Sequence, residues 1–520
     1  MNKRKKNTLL VLIYSVMFLM CLGIVAVVDR LNLPIHNENQ PPGDTIMEPS
    51  KEPVKESEPE PSKESVMVPT TGAEKIESSQ ETKIQAPAVI AEEVKEYKPP
   101  SIVIASDVHY YSPELTDYGK AFWTMAKGDD GKVVHYIPEL MDSFTREMEG
   151  LSPSVVVLSG DLTLNGEKKG HEALAKKLEL LEEKGVKVLV IPGNHDINNY
   201  NSASYMGKDR EPSEIVTPDD FYRIYSRFGY DQGISRDEAS FSYVYELDEY
   251  NWLLMLDSAQ YVPENKVGGR IREETLIWMR TQLEEAKKHS VNVITIGHHN
   301  LLKESIRYPM DCTLENSEEV IELLESYRVP LYISGHLHLQ RTKPHKPRPG
   351  VMEEGYHINE VVADSLAISP FQYGLLTWTK DNGISYTTKE LDVAKWAKDC
   401  SITDDNLLKF QEYGADFLNE VVSSQVYDQL KNLPEEQRNK MAGLYSDINR
   451  AYCAGIPVDA GWVRSEEAYR LWERNLPDSK LFAEINEMIR DTGSDFNTWE
   501  SVLEYGRRND GIGNDISPQS

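Results

Sequence analysis

Val188-Leu-Val-Ile-Pro-Gly-Asn-His-Asp196 is an apolar run broken at Pro192-Gly193, with three polar side chains of different coordinating chemistry directly behind the break. It reads as a strand that delivers Asn194, His195 and Asp196 at its carboxyl end. In an open α/β sheet the crevice beyond those ends is where ligands bind, so the three side chains are expected to face a cleft. The same design recurs four times. Residues 102–105 lead into Asp107-Val-His109, residues 155–158 into Gly160-Asp161, residues 291–296 into His298-His299, and residues 331–333 into Gly335-His-Leu-His338. One His or Asp after a strand is ordinarily a satisfied loop or capping residue. Five apolar strands that each end in a metal-ligand residue type point to one shared site.

Asp107-x-His109, Gly160-Asp161, Gly193-Asn-His-Asp196, His298 and Gly335-His-x-His338 resemble, in order and spacing, the signature of the calcineurin-like metallophosphoesterases. The likeness covers roughly residues 100–393. It implies an α/β fold of two packed mixed β-sheets flanked by helices, a four-layer sandwich, with a dinuclear metal centre. Position by position, the resemblance gives one ion to Asp107, His109, Asp161 and His338 and the other to Asp161, Asn194, His298 and His336. Imidazole-plus-carboxylate shells suit iron, manganese or zinc better than calcium or magnesium. Two such ions ~3.5–4 Å apart lower the pKa of a shared water and clamp the attacking and leaving oxygens of an in-line displacement at phosphorus.

His195 is not needed as a ligand. Beside one, it is placed to hydrogen-bond a phosphoryl oxygen or to protonate a leaving alcohol, and Asp196 is expected to orient its ring. The other role open to Asp196 is a helix N-cap. Two departures from the family pattern stand out. Leu162-Thr-Leu-Asn165 follows Gly160-Asp161 where relatives often carry a charged residue, and His298-His299-Asn300 stands where many read His-His-Pro. The choice of His298 as ligand follows the family's first His, and His299 is left as a substrate contact.

The activity these residues imply is phosphodiester hydrolysis of a small substrate, a cyclic nucleotide among the candidates. A phosphomonoesterase on the same core is the alternative, and a non-catalytic metal-bound scaffold is the alternative of another class. The scaffold reading predicts decay of the signature, whereas every position of it is filled. Met255-Leu-Asp-Ser258, with Gly269 and the apolar positions of residues 278–283, resembles the class III cyclic-nucleotide phosphodiesterases and leans toward the diester.

The rest of the 520-residue chain is organised around that core. With 56 Lys+Arg against 85 Asp+Glu, its net charge of -29 argues against a nucleic-acid groove or an anionic lipid surface as partner. Lys3-Arg-Lys-Lys6 precede residues 9–28, an uncharged run whose length as a helix, ~1.5 Å per residue, matches a ~30 Å hydrocarbon core. Residues 1–30 therefore read as an N-terminal membrane anchor, with a cleaved signal segment and a secreted protein as the alternative. The basic cluster keeps the amino terminus cytoplasmic and puts the catalytic domain outside the cell. Residues 31–100, rich in Pro, Glu, Ser and Lys, are expected to be a disordered linker. Cys21, Cys312, Cys400 and Cys453 include no CxxC and form no disulfide framework.

Residues 101–393 alternate strand and helix patterns. Helices are expected over 136–148, 167–184 and 273–289, strands over 241–247 and 252–256, and a closing set over 361–363, 375–379 and 384–389, the last two joined by Asp381-Asn-Gly383. Residues 394–520 read as a small all-helical domain, with helices over 406–418, 423–433, 434–453, 466–475 and 480–491. It carries no ligand cluster, and it is expected to pack beside the cleft. Tyr413, Tyr445, Tyr452, Trp462, Trp472 and Trp499 are expected in its core.

Overall fold

The five strands that end in ligand-type residues lie in two sheets whose edges meet at one place. The structure, a computed structural model, describes residues 98–505 apart from 306, 309–311, 347–355 and 380. The apolar run at residues 9–28 and the linker up to residue 97 lie outside the described residues. Among the described residues no helix is long and apolar enough to cross a membrane.

Strands β1 (Ser101–Ala105), β2 (Val155–Ser159) and β3 (Lys187–Ile191) run parallel, with Ile102 opposite Val155 and Val155 opposite Lys187. β4 (Ala203–Met206) and β5 (Asp209–Pro212) make a separate ribbon. β6 (Ser235–Arg236), β7 (Tyr243–Asp248), β8 (Asn251–Met255), β9 (Asn292–Ile296), β10 (Leu331–Ser334), β11 (Arg341–Pro344) and β12 (Asn359–Val362) form a seven-stranded sheet in the order β11-β12-β10-β9-β8-β7-β6. β13 (Gln372–Trp378), β14 (Gly383–Glu390) and β15 (Thr498–Val502) extend the first sheet to β15-β14-β13-β1-β2-β3. β8, β9, β10 and β12 are mutually parallel, so the second sheet presents the ends of β9 and β10 in the way the first presents those of β1 to β3.

The layers follow from side-chain alternation along strands buried on both faces. Leu253, Met255, Ile294, Ile296, Leu331 and Ile333 join a core with β1 to β3 and with the helices Ile137–Leu151 and Lys168–Glu183. The intervening Leu254, Val293 and Tyr332 face the other way. They meet Met279, Leu283, Val320 and Leu324 of the helices Glu273–Lys288 and Ser317–Ser326. This is the expected four-layer arrangement of two mixed sheets between helices.

The carboxyl-terminal region is helical, with two corrections. The expected break between residues 418 and 423 does not occur: Phe410–Gln429 is one helix. No Gly or Pro lies between residues 418 and 423, and Val421, Val422 and Val426 continue the buried row of Phe417 and Leu418. Nor do strands stop near residue 394. β15 returns to the catalytic sheet as its edge strand, with Trp499 opposite Tyr386. It is short and half exposed throughout, so it lacks the apolar run that marked the other strands. Among the aromatics, Tyr445, Tyr452 and Trp472 are fully buried, whereas Trp462 is 49% exposed, against expectation.

Helices and catalytic sheets share a core. Leu337, Leu339, Val362 and Ile368 pack with Met441, Tyr445, Ile448, Tyr452 and Met488. Leu337 sits between His336 and His338, so the loop that carries those two rings is packed against the helices.

Candidate metal centre

Each ligand-type residue is aimed by a sharp turn at the end of its strand. Asp107, His109, Asp161, His336 and His338 all have φ between 47° and 70°, the left-handed region that non-glycine residues seldom occupy. Concentration of such strain in one place is a mark of a functional site. Gly160, just before Asp161, has φ 93°, and a Cβ there would lie 2.5 Å from His298 Nδ1. Any other residue at that position would push the β2 and β9 loops apart.

The structure brings all seven expected ligands together. His109 Nε2 and His338 Nε2 face each other at 2.9 Å. His338 Nε2 is 3.4 Å from Asp107 Oδ1, and His109 Nε2 is 4.0 Å from Asp161 Oδ2. On the other side His298 Nε2 lies 3.4 Å from Asp161 Oδ1 and 3.1 Å from Asn194 Oδ1, and the His336 ring centroid is 5.2 Å from that of His298. Asp161 lies between the two groups. His298 and His338 are also fixed from behind: His298 Nδ1 donates to Ser159 O at 2.9 Å, and His338 Nδ1 donates to Asp130 Oδ2 at 2.7 Å. An imidazole whose far nitrogen is tied to a carbonyl or carboxylate, with its near nitrogen turned toward like donors, is the arrangement that metal-binding histidines adopt. The donor set therefore fits divalent metal ions.

The charges agree. Burial would raise Asp107 and Asp161, but the hydrogen bond and charge of His338 hold Asp107 low, and the charges of His298 and His195 hold Asp161 well below the usual carboxylate range. Burial lowers the imidazoles, yet beside Asp161 the His298 ring is held up at about 9, and beside Asp130 and Asp107 the His338 ring at about 10. Burial and the Lys132 charge push His109 well down, toward the neutral form that ligates metals. The buried carboxylates demand positive charge at this place. Protons on two rings meet the demand in the bare protein, and cations meet it otherwise.

Residues 100–340 match the model of the calcineurin-like phosphoesterases, and residues 392–495 match that of the C-terminal domain of cyclic nucleotide phosphodiesterase. Residues 100–340 thus carry a calcineurin-like phosphoesterase domain. A probable cyclic nucleotide phosphodiesterase of Xenorhabdus bovienii is 22% identical over 191 residues, which is 37% of this chain and 63% of that relative's length. A dimetal phosphatase from Danio rerio superposes with a TM-score of 0.40 at 15% identity, over 56% of this chain and 97% of the other. A protein described as the anchor in the inner membrane complex of Plasmodium gives 0.32 at 12% identity, over 56% and 84%.

In this phosphoesterase Asp196 does not orient His195. Its Oδ2 accepts from Gly193 N at 2.8 Å and Leu162 N at 3.1 Å, and its Oδ1 accepts from Thr163 N at 3.0 Å. Asp196 thus clips the β3 turn to the β2 turn, and the Leu162-Thr163 departure finds its explanation: backbone amides, rather than a charged side chain, anchor the loop of Asp161. Burial and the Asp161 charge push Asp196 up to about 7. The His195 ring is held instead by Leu164, whose carbonyl accepts from Nδ1 at 2.6 Å, so Nε2 is turned toward Asp161 Oδ2, 3.9 Å away.

His299 is corrected as well. Its Nδ1 pairs with Ser258 Oγ at 2.8 Å and its Nε2 with Val267 O at 2.9 Å, so both nitrogens of the buried ring are already engaged. Ser258 and Gly269, where a Cβ would lie 2.3 Å from His299 Cγ, therefore seat His299. Asn300, the other departure, donates to Ser334 Oγ and Gly335 O at 2.9 and 3.2 Å, tying the His298 loop to the His336 loop.

Two supporting carboxylates escaped sequence reading. Asp130 holds His338 and pairs with Lys132 Nζ at 2.6 Å. Glu360, buried in β12, accepts from Leu301 N, Leu302 N and Ser334 Oγ. Asp129-Asp-Gly131 reads as an ordinary turn, and nothing local signals a partner in residue 338.

Proposed function

We propose that the chain hydrolyses a small phosphodiester with two transition-metal ions, a cyclic nucleotide being the leading substrate class. Asp107, His109, Asp161 and His338 hold one ion and Asp161, Asn194, His298 and His336 the other. The observation that carries this is the convergence of these seven side chains, with the His298 and His338 rings locked from behind. Bound there, iron, manganese or zinc supplies the charge that polarises a phosphoryl group and the acidity that activates water.

The chain's own groups do the rest. Asp161 lies within reach of both halves and keeps them at a fixed spacing. His195 is 29% exposed on its side chain where Asp161 is 2%, so among these two it is the one open to an incoming ester. Its Nδ1 proton is committed to Leu164 O, which leaves Nε2 to carry the proton for a leaving oxygen or to hydrogen-bond a phosphoryl oxygen. The match of residues 392–495 to a phosphodiesterase C-terminal domain supports the diester over the monoester, as does the similarity to a probable cyclic nucleotide phosphodiesterase. The basic and then apolar start of the sequence supports action outside the cytoplasm.

The test is a substrate panel on protein stripped and reloaded with Mn²⁺, Fe²⁺ or Zn²⁺: bis-nitrophenyl phosphate, nitrophenyl phosphate and 3′,5′-cyclic nucleotides. Diester turnover that exceeds monoester turnover and disappears in Asp161→Asn is the expected result. Preference for the monoester would select the phosphomonoesterase, and turnover that survives metal removal would reject the two-metal chemistry.

A further inference from the structure

We propose that Glu325, His345 and His357 form a further divalent-cation site of the zinc class, built from elements that supply no ligand to the dinuclear centre. Glu325 lies in the last turn of the helix Ser317–Ser326, His345 follows β11 directly, and His357 stands two residues before β12. β11 and β12 are antiparallel with Pro344 opposite Asn359, and His345 N donates to Ile358 O at 2.8 Å. That register sets the two imidazoles at neighbouring positions on the hairpin, and the helix lays its carboxylate against them.

The donors have the spacing a cation needs. One ligand atom from each of the three lies within 4.8 Å of the others. His345 Nδ1 is 2.7 Å and His357 Nδ1 3.5 Å from Glu325 Oε1, with the ring centroids 5.8 Å apart. Tetrahedral zinc with bonds of ~2.0–2.2 Å spaces its ligand atoms by about 3.3 Å, between those two values. Ile358 N donates to Glu325 Oε1 at 3.0 Å and fixes the carboxylate as a supporting hydrogen bond does at a metal site. The side chains are 17–28% exposed, so the cluster lies near the surface.

An ordinary ion pair would explain Glu325 and His345 alone. It leaves His357 unsatisfied: apart from the 3.5 Å approach of Nδ1 to Glu325, its two ring nitrogens are shut off from solvent without a hydrogen-bond partner among the described residues. Buried polar atoms are nearly always paired, and a lone pair directed at a cation satisfies one of them. Two imidazoles and one carboxylate make a borderline donor set that selects zinc, or a similar transition metal, over calcium or magnesium. An ion here would pin the Ser317–Ser326 helix to the β11–β12 hairpin. β12 lies beside β10, and its Glu360 holds the loops after β9 and β10, so the ion would stiffen the frame of the dinuclear centre without joining its chemistry.

The experiment uses the full chain, stripped with chelator, reloaded with Zn²⁺, desalted and analysed for zinc per chain. His345→Ala and His357→Ala should each lose one ion relative to the unsubstituted protein and keep its phosphoesterase turnover. The same ion should persist in Asp161→Asn, so that His357→Ala still removes one zinc from that background. This keeps the result separate from the fate of the dinuclear centre. Should either variant fail to fold, Co²⁺ loading of Asp161→Asn supplies a direct reading, since a four-coordinate site gives intense visible bands. Equal zinc in His357→Ala and the parent, or no such bands in cobalt-loaded Asp161→Asn, would overturn the proposal.

Discussion

Asp130→Asn tests the centre through a residue that touches neither substrate nor metal. Asp130 Oδ2 accepts from His338 Nδ1 at 2.7 Å, and Oδ1 pairs with Lys132 Nζ at 2.6 Å. Asparagine keeps the shape and one acceptor but removes the charge. Loss of such a supporting carboxylate typically costs 10–100-fold in metal affinity, which is about 1.4–2.7 kcal/mol. The upper end is expected here, because Lys132 stays behind. Its side chain is 5% exposed and its ammonium retains Asp129 at 3.1 Å, but its charge already depresses His109 and would act on the same ion with one balancing carboxylate fewer. Competitive titration with Mn²⁺ or Zn²⁺ against a chromophoric chelator resolves the two ions. The ion bound by Asp107, His109 and His338 should weaken by about 100-fold, and the ion bound by Asn194, His298 and His336 by no more than a few-fold. Lys132→Met on top of Asp130→Asn should recover part of the loss. Equal weakening of both ions, or a change under about threefold, would refute the assignment of Asp130 to His338 as a positioning residue.

Three further outcomes follow from the same geometry. His195→Ala should cut turnover by about 10²–10⁴-fold with both ions retained by elemental analysis, and by less on a nitrophenyl ester, which leaves without needing a proton; equal losses on both esters would mean that His195 binds without donating. In the chelated protein His298 and His338 titrate at about 9 and about 10 against an unfolded value of 6.5, so their stabilisation is complete below about pH 6.5 and is lost as pH rises through 9–10. Asp196, at about 7 against 3.8, adds a loss of the same sign at lower pH, so the midpoint of thermal unfolding should fall steadily from neutral to pH 10 without metal and flatten when metal is added; a rising midpoint in the chelated protein would contradict these charges. A chain ending at Val393 strips the cover from Leu337, Leu339, Val362 and Ile368, an exposure worth on the order of 6–12 kcal/mol at ~1.5–3 kcal/mol per side chain. That rivals the whole stability of a domain, so the truncated chain should be insoluble or lose its metals, and a soluble truncation with full metal content would show that the helices are dispensable.

The motif strands were legible because burial on both faces makes each a continuous apolar run, and because the turn after each must carry its own ligand. That pattern singled out the turns, and the resemblance to the metallophosphoesterases then picked Asp107, His109, Asp161, Asn194, His298, His336 and His338 from them and implied the two-sheet fold. The chemistry of a ligand is local to its residue type. What supports a ligand is not. Asp130 meets His338 across 208 positions of sequence, Leu164 offers His195 only a backbone carbonyl, and Glu360 works by accepting amides from another loop, so none leaves a trace in its own neighbourhood. Asp196 and His299 show the converse: next to a ligand in sequence, each had a plausible role at the reacting atoms, and each is consumed by hydrogen bonds that only the packed loops define. The pattern of apolar strands and ligand residues thus determined which fold forms and which side chains gather. The tertiary structure alone decided which nitrogen faces inward, which carboxylate stands behind it and which neighbour is scaffolding, because those depend on the directions of groups brought together from distant parts of the chain.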